Sequence, residues 1–207
     1  MPVISTLLLV LLAPPASAGT GTQQCAAGHV RLTFDDGPHP TATPDILDTL
    51  ADRGAKATFF VTGEMTAARP DIVRRASEEG HRIGNHSWNH PELTTLDRAQ
   101  VRSQLQRTNE VIERATGDTP GEWRPPYGAT NDLVAGAAGD VGLDSMLLWT
   151  VDPRDWADPP ATTTRDRVLQ GVRPGSIVLL HDSTGRNTPA ALPMILDGLA
   201  SRGYCTQ

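Results

Sequence analysis

The chain has 207 residues, with 18 basic against 24 acidic side chains and a formal net charge of −6; Lys56 is its single lysine. That length suits one domain around one core, and the lack of a basic stripe excludes nucleic acid as an expected partner. Aromatic residues make up only 4%, yet four of them are tryptophan, a side chain that stacks on sugar rings as readily as it fills cores.

In chain order, the first feature is an apolar run from Val3 to Leu12, followed by Pro14-Pro15-Ala16-Ser17-Ala18. Such a run before a small-x-small site reads as a secretory signal peptide cleaved after Ala18, and it is too short to span a bilayer. Residues 1–18 are therefore expected to be removed, leaving 19–207 as a single exported domain with no membrane segment. The cysteines agree, with Cys25 just past the cleavage point and Cys205 near the end. An even count in an exported chain favours a disulfide, which would bring the two ends of the mature domain together.

Short β-prone runs follow at His29–Phe34, Ala57–Val61, Arg82–Gly84, Ser145–Val151 and Ser176–Leu180, with a weaker one near Trp123. Helical patterns separate them at Pro44–Arg53, Pro70–Glu79, Asp97–Thr116, Asn131–Gly139, Thr164–Gly171 and Pro189–Arg202. Strand and helix in alternation predict an α/β fold with a parallel sheet and outer helices, either a barrel or an open doubly wound sheet. Pro153 to Thr164 is expected to be a surface loop.

Five polar clusters sit where these strands should end. Thr33-Phe34-Asp35-Asp36-Gly37-Pro38 puts two carboxylates at the close of the first strand. Successive strand residues point to opposite faces, so two acids there are wasteful unless each has its own task. His86-Ser87-Trp88-Asn89-His90 offers two imidazoles at i and i+4, expected on one side of a helical turn and able to share a metal. Two histidines and one aspartate with an open position suit a hydrolytic zinc site, and the same ligands serve non-haem iron oxygenases. His29, His39 and His81 lack such partners and read as surface or strand-end residues. Arg124-Pro125-Pro126-Tyr127-Gly128, Asp152-Pro153-Arg154-Asp155-Trp156 and His181-Asp182 complete the set. Polar residues at the carboxyl ends of parallel strands are the usual location of catalytic groups.

With these five segments in this order, the chain resembles the polysaccharide deacetylases, the NodB-homology domain of carbohydrate esterase family four. The resemblance runs from about Val30 to Tyr204, and is nearest to secreted actinobacterial acetylxylan esterases and chitooligosaccharide deacetylases, which share the terminal cysteine pair. It implies a distorted (β/α) barrel of about seven strands and one divalent metal, usually zinc, with cobalt or another divalent ion as substitute. Asp36, His86 and His90 would be the ligands, Asp35 the general base, and Arg124 the residue that holds and orients it. His181 would be the general acid, paired with Asp155. The Tyr127 backbone N–H would meet the oxyanion, and Trp156, Leu179, Pro125 and Pro126 would line the sugar and acetyl site.

The implied activity is hydrolysis of acetyl groups from N-acetylated sugars such as chitin oligosaccharides or peptidoglycan, by a secreted monomer. Removal of O-acetyl groups from xylan is the alternative. A carbohydrate-binding protein without turnover is a reading of a different class, against which intact Asp35 and His181 argue.

Overall fold

A computed structural model describes residues 25–207, so the expected signal peptide lies outside the described residues. Seven strands are present among them: β1 (Gly28–Asp35), β2 (Thr58–Val61), β3 (Arg82–Asn85), β4 (Glu122–Trp123), β5 (Ser145–Met146), β6 (Ile177–His181) and β7 (Tyr204–Thr206). Every pairing is parallel, in the order β5-β4-β3-β2-β1-β6, with β7 joined to the start of β1. The sheet curls into a half-barrel flanked by α1 (Ala42–Asp52), α2 (Gly63–Ala68), α3 (Pro70–Glu78), α4 (Arg98–Thr116), α5 (Asp132–Gly139), α6 (Ala161–Gly171) and α7 (Thr188–Ser201).

The two faces of β1 explain how the sheet is sorted. Val30, Leu32 and Phe34 alternate along the strand and pack outward against Ile46, Leu47 and Leu50 of α1 and Leu192, Ile195 and Leu199 of α7. Thr33 and Asp35 take the opposite face, where both receive hydrogen bonds from Arg124. Register carries the division across the sheet. Phe34 pairs with Phe59 and Leu180, which belong to the same outer core, while Asp35 pairs with Phe60 and His181. Each large outer side chain contributes about 1.5–3 kcal/mol by leaving water.

β1 ends because it must. Asp36 adopts φ 77, and Pro38 has no N–H to extend a ladder. The longest helix, α4, is bounded by chemistry that the sequence makes plain. Asp97 accepts from the Gln100 N–H while the Gln100 side chain accepts from the Asp97 N–H, and Gly117 at φ 86 closes the far end.

At the amino ends of the strands, β7 lies parallel to β1, with Gly28 opposite Tyr204 and His29 opposite Cys205. Cys25 and Cys205 form the expected disulfide, their Cα atoms 5.2 Å apart. The expected strand Ser145–Val151 is shorter than its apolar run. β5 stops at Met146, and Val151 makes only a single bridge, to Val178 of β6. Leu147 and Leu148 instead turn their carbonyls to the buried Arg124 guanidinium, which takes them out of a regular ladder. Likewise the expected loop after Pro153 holds a 3-10 turn at Asp155–Ala157 and gives way to α6 at Ala161, three residues early.

Candidate active site

Four strand ends and the segment before α6 bring the polar clusters to one rim. Asp35 and Asp36 leave β1, His86 follows β3, Arg124 follows β4, Asp155 lies in the segment leading to α6, and His181 closes β6. Asp36, His86 and His90 converge, with one ligand atom from each lying within 4.8 Å of the others. His86 Nε2 and His90 Nε2 stand 3.5 Å and 3.3 Å from Asp36 Oδ1. That oxygen is buried and accepts no hydrogen bond, the arrangement expected of a carboxylate whose partner is a cation.

The histidine pair reaches this geometry by a route other than the expected helical turn. Residues 86–90 are irregular, with Ser87 at φ 65 and His90 at φ 60. Their backbone groups find partners outside the segment, which removes any need for i to i+4 bonds. Asn85 Oδ1 accepts from the Ser87 N–H at 2.8 Å, Gln104 Oε1 from the Trp88 N–H at 2.8 Å, and the Ser87 and Trp88 carbonyls accept from Gly63 and Glu64 N–H groups. The two imidazoles meet edge to face, ring centres 4.9 Å apart. His86 Nδ1 faces the Arg124 carbonyl at 2.7 Å, so its proton is held there and Nε2 is the ring nitrogen left facing Asp36.

Burial alone would raise the Asp36 carboxyl, but the close approach and positive field of His86, with the fields of His181 and His90, outweigh it and bring it down to about 2. For His86, burial opposes the charged form, and the fields of Asp35 and Asp36 reverse that to a raised value. His90 is lowered, first by burial and then by neighbouring His86, which favours the neutral imidazole that a metal needs.

Beside this group lie two ion pairs. Arg124 is fully buried and donates from Nη1 to Asp35 Oδ1 at 2.7 Å and to Thr33 Oγ1 at 2.9 Å, its guanidinium stacked over Phe60 at 4.3 Å. Asp35 Oδ2 stays turned toward His86 Nε2, 3.6 Å away. Across the β1–β6 pairing, His181 Nδ1 meets Asp155 Oδ1 at 2.9 Å. The other Asp155 oxygen accepts from the His181 N–H and from Thr188 Oγ1. Burial would lower His181, but the bond to Asp155 and the fields of Asp155, Asp35 and Asp36 raise it to about 9.

The remaining expected residues fall around this centre. Tyr127 adopts φ 60 and is 65% exposed, its ring edge-on to His90 at 4.6 Å. Trp156 stands at the rim with the Arg154 guanidinium over its ring, while Leu179 is buried two residues before His181 on β6. Pro125 and Pro126 are buried, so they shape the turn more than they offer surface.

Sequence reasoning gave no role to Asp182, Thr33 or Thr188, which support these groups from behind. Asp182 is raised to about 7, mainly by burial, with Thr43 opposing through a hydrogen bond and Asp36 adding to the rise. An acid directly after an apolar strand was the available signal. His81 directly precedes β3, the strand-end position of its two expected settings, and is buried there, where burial followed by Lys56 lowers it to about 4.

Comparison with known proteins identifies relatives of this chain. The polysaccharide deacetylase family model matches residues 23–146. The chain is 40% identical over 200 residues to a chitooligosaccharide deacetylase of Sinorhizobium fredii, covering 90% of both. It is 43% identical over 175 residues to the peptidoglycan-N-acetylglucosamine deacetylase PgdA of Listeria monocytogenes, covering 84% of this chain but only 36% of the longer relative. Among solved structures, a family 4 carbohydrate esterase from Streptomyces lividans in complex with acetate superposes with a TM-score of 0.81 at 38% identity, covering 86% of this chain and 91% of that one. By fold, motif order and sequence, this chain belongs to the polysaccharide deacetylase family.

Proposed function

We propose that the protein is an exported, metal-dependent deacetylase that hydrolyses acetyl groups from N-acetylated sugars in chitin oligosaccharides or peptidoglycan. The observation that carries this reading is the convergence of Asp36, His86 and His90 within 4.8 Å, flanked by the Asp35–Arg124 and His181–Asp155 pairs. The buried, unpartnered Asp36 Oδ1 and two imidazoles fit a divalent cation, with zinc or cobalt suited to that donor set. Such an ion supplies Lewis-acid chemistry, which brings deprotonation of a water within reach of a carboxylate base.

The residues then divide the work. Asp35 has one oxygen fixed by Arg124 and the other open to the site, so it takes the proton from the attacking water. The Tyr127 N–H meets the oxyanion as the acetyl carbon becomes tetrahedral. His181 is held protonated by Asp155 and gives its proton to the departing sugar nitrogen. Trp156 and Leu179 bracket the acetyl methyl, which favours acetyl over bulkier groups. The Cys25–Cys205 bridge fits an oxidising compartment outside the cytosol.

Removal of O-acetyl groups from xylan is the second reading, favoured by the likeness to a carbohydrate esterase. An ester leaves more easily than an amide, so the same base and acid suffice for it. The test is acetate release measured in parallel on chitooligosaccharides, peptidoglycan and acetylated xylan, with and without chelator. Faster release from the two N-acetylated substrates, silenced by chelation, is expected. Release from xylan alone would establish the second reading, and no release from any would remove both.

A further inference from the structure

The loop that carries Asp36 rests on a carboxyl group with no part in the proposed chemistry. Asp182 directly follows His181 and is 1% exposed. Gly37 lies flat against it; a Cβ built on that glycine would stand 2.2 Å from Asp182 Oδ2 and 2.4 Å from Oδ1, so the loop backbone and this carboxyl are in direct contact. Oδ2 accepts a 2.6 Å hydrogen bond from Thr43 Oγ1, and the same hydroxyl accepts one of 2.7 Å from the His39 N–H. The Asp182 N–H in turn donates to the Asp35 carbonyl at 3.3 Å. Asp182 therefore touches the chain before Asp36, lies under the residue after it, and reaches the end of the loop through Thr43.

That loop needs holding. Asp36 sits at φ 77, a left-handed conformation that a non-glycine residue keeps only where its surroundings impose it. The support is itself costly, since Asp182 Oδ1 is buried without a hydrogen-bond partner. An apolar side chain would fill the space without that cost, but it could not engage Thr43. Sequence neighbours extend the pattern, because Thr184 Oγ1 donates to Asp36 Oδ2 at 3.2 Å and leaves Oδ1 as the oxygen facing the histidines.

We infer that Asp182, acting with Thr43, is the positioning residue that sets the Asp36 carboxylate toward the cation site. The inference rests on the proposed role of Asp36 as a metal ligand. Its test is metal binding by the full chain, read by calorimetry with Zn(II) and by the visible spectrum of the Co(II)-loaded protein, with melting temperature recorded on the metal-free form. Asp182→Ala is expected to weaken Co(II) binding by about 10–100-fold and alter its spectrum, as loss of an outer-shell partner does. Thr43→Val should change both in the same direction, to a smaller extent. Asp182→Asn keeps the shape and the acceptor for Thr43, and should stay close to wild type. Folded Ala and Val variants that bind Co(II) as tightly as wild type with the same spectrum, differing only in melting temperature, would overturn the inference. So would an Asn variant no better than Ala. If Asp182→Ala does not fold, Thr43→Val decides by the same two readouts. A wild-type protein that binds neither metal would instead contradict the metal reading, which separates the two failures.

Discussion

Asp35 and Asp36 are adjacent in the chain and differ in everything around them. Asp35 shares β1's inner face with Thr33 and is pinned by Arg124, while Asp36 has turned out of the strand toward two imidazoles. His181 shows the same control by surroundings. Its protonated form is stabilised up to about 9 against an ordinary value of 6.5, burial being outweighed by Asp155 and the site's other acids. Because the folded value is the higher one, this stabilisation is complete below about 6.5 and is lost as pH rises through about 9. As the proposed acid, His181 should set the alkaline limb of the rate. Asp155→Asn should move that limb down by about 1–3 pH units, read from kcat against pH; an unmoved limb would mean that another group sets it. At this scale the sequence was informative about which residues meet. The resemblance to the deacetylase family singled out Asp36 over Asp35 as the ligand, and His86, His90 and a strand-end carboxylate could be grouped by residue type. Asp182, Thr33 and Thr188 could not, because their roles depend on β1–β6 register and on where α1 and α7 begin.

The elements explain how distant residues reach one rim. His86 and His90 are held less by their own segment than by α2 and α4, whose Gly63, Glu64 and Gln104 satisfy the loop backbone. Gly63 has no room for a side chain, since a Cβ there would lie 2.3 Å from Trp88 Cε3 and 2.6 Å from Thr108 Oγ1. Gly63→Ala should therefore cost about 1–3 kcal/mol of stability, as overpacking does, and weaken metal binding by shifting the loop. Denaturant unfolding and Co(II) titration check both, and an unchanged midpoint would show that the loop yields freely. The same region marks where sequence reading stopped. Gly63–Ala68 is a single short helix in GEMTAA, with too few turns for an apolar stripe, and Tyr204–Thr206 is a three-residue strand recognisable only by its partner. The spacing of His86 and His90 suggested a helical turn, but Asn85 and Gln104 supply competing partners from the side. By contrast, α4 was legible at both ends from Asp97, Gln100 and Gly117.

At the scale of the molecule, the half-barrel keeps its chemistry and its fastening at opposite ends. Four of the five polar clusters leave the carboxyl ends of strands and the fifth precedes α6, while the Cys25–Cys205 bridge and β7 close the amino ends beside β1. With its cysteines 180 positions apart, the bridge constrains nearly the whole unfolded chain, worth about 5 kcal/mol in the entropy model. Reduction, or Cys205→Ser, should lower the melting temperature while leaving metal affinity intact; an unchanged melting temperature would mean that β7 holds its place without the bridge. The central claim, that Asp36 binds a cation while Asp35 moves the proton, is tested most directly by acetate release from a chitooligosaccharide. Zinc-loaded wild type, Asp35→Asn and Asp36→Asn should be compared alongside their bound metal. The account predicts release by wild type only, with metal retained in Asp35→Asn and lost in Asp36→Asn. Undiminished release by Asp35→Asn, or by wild type in excess chelator, would contradict it.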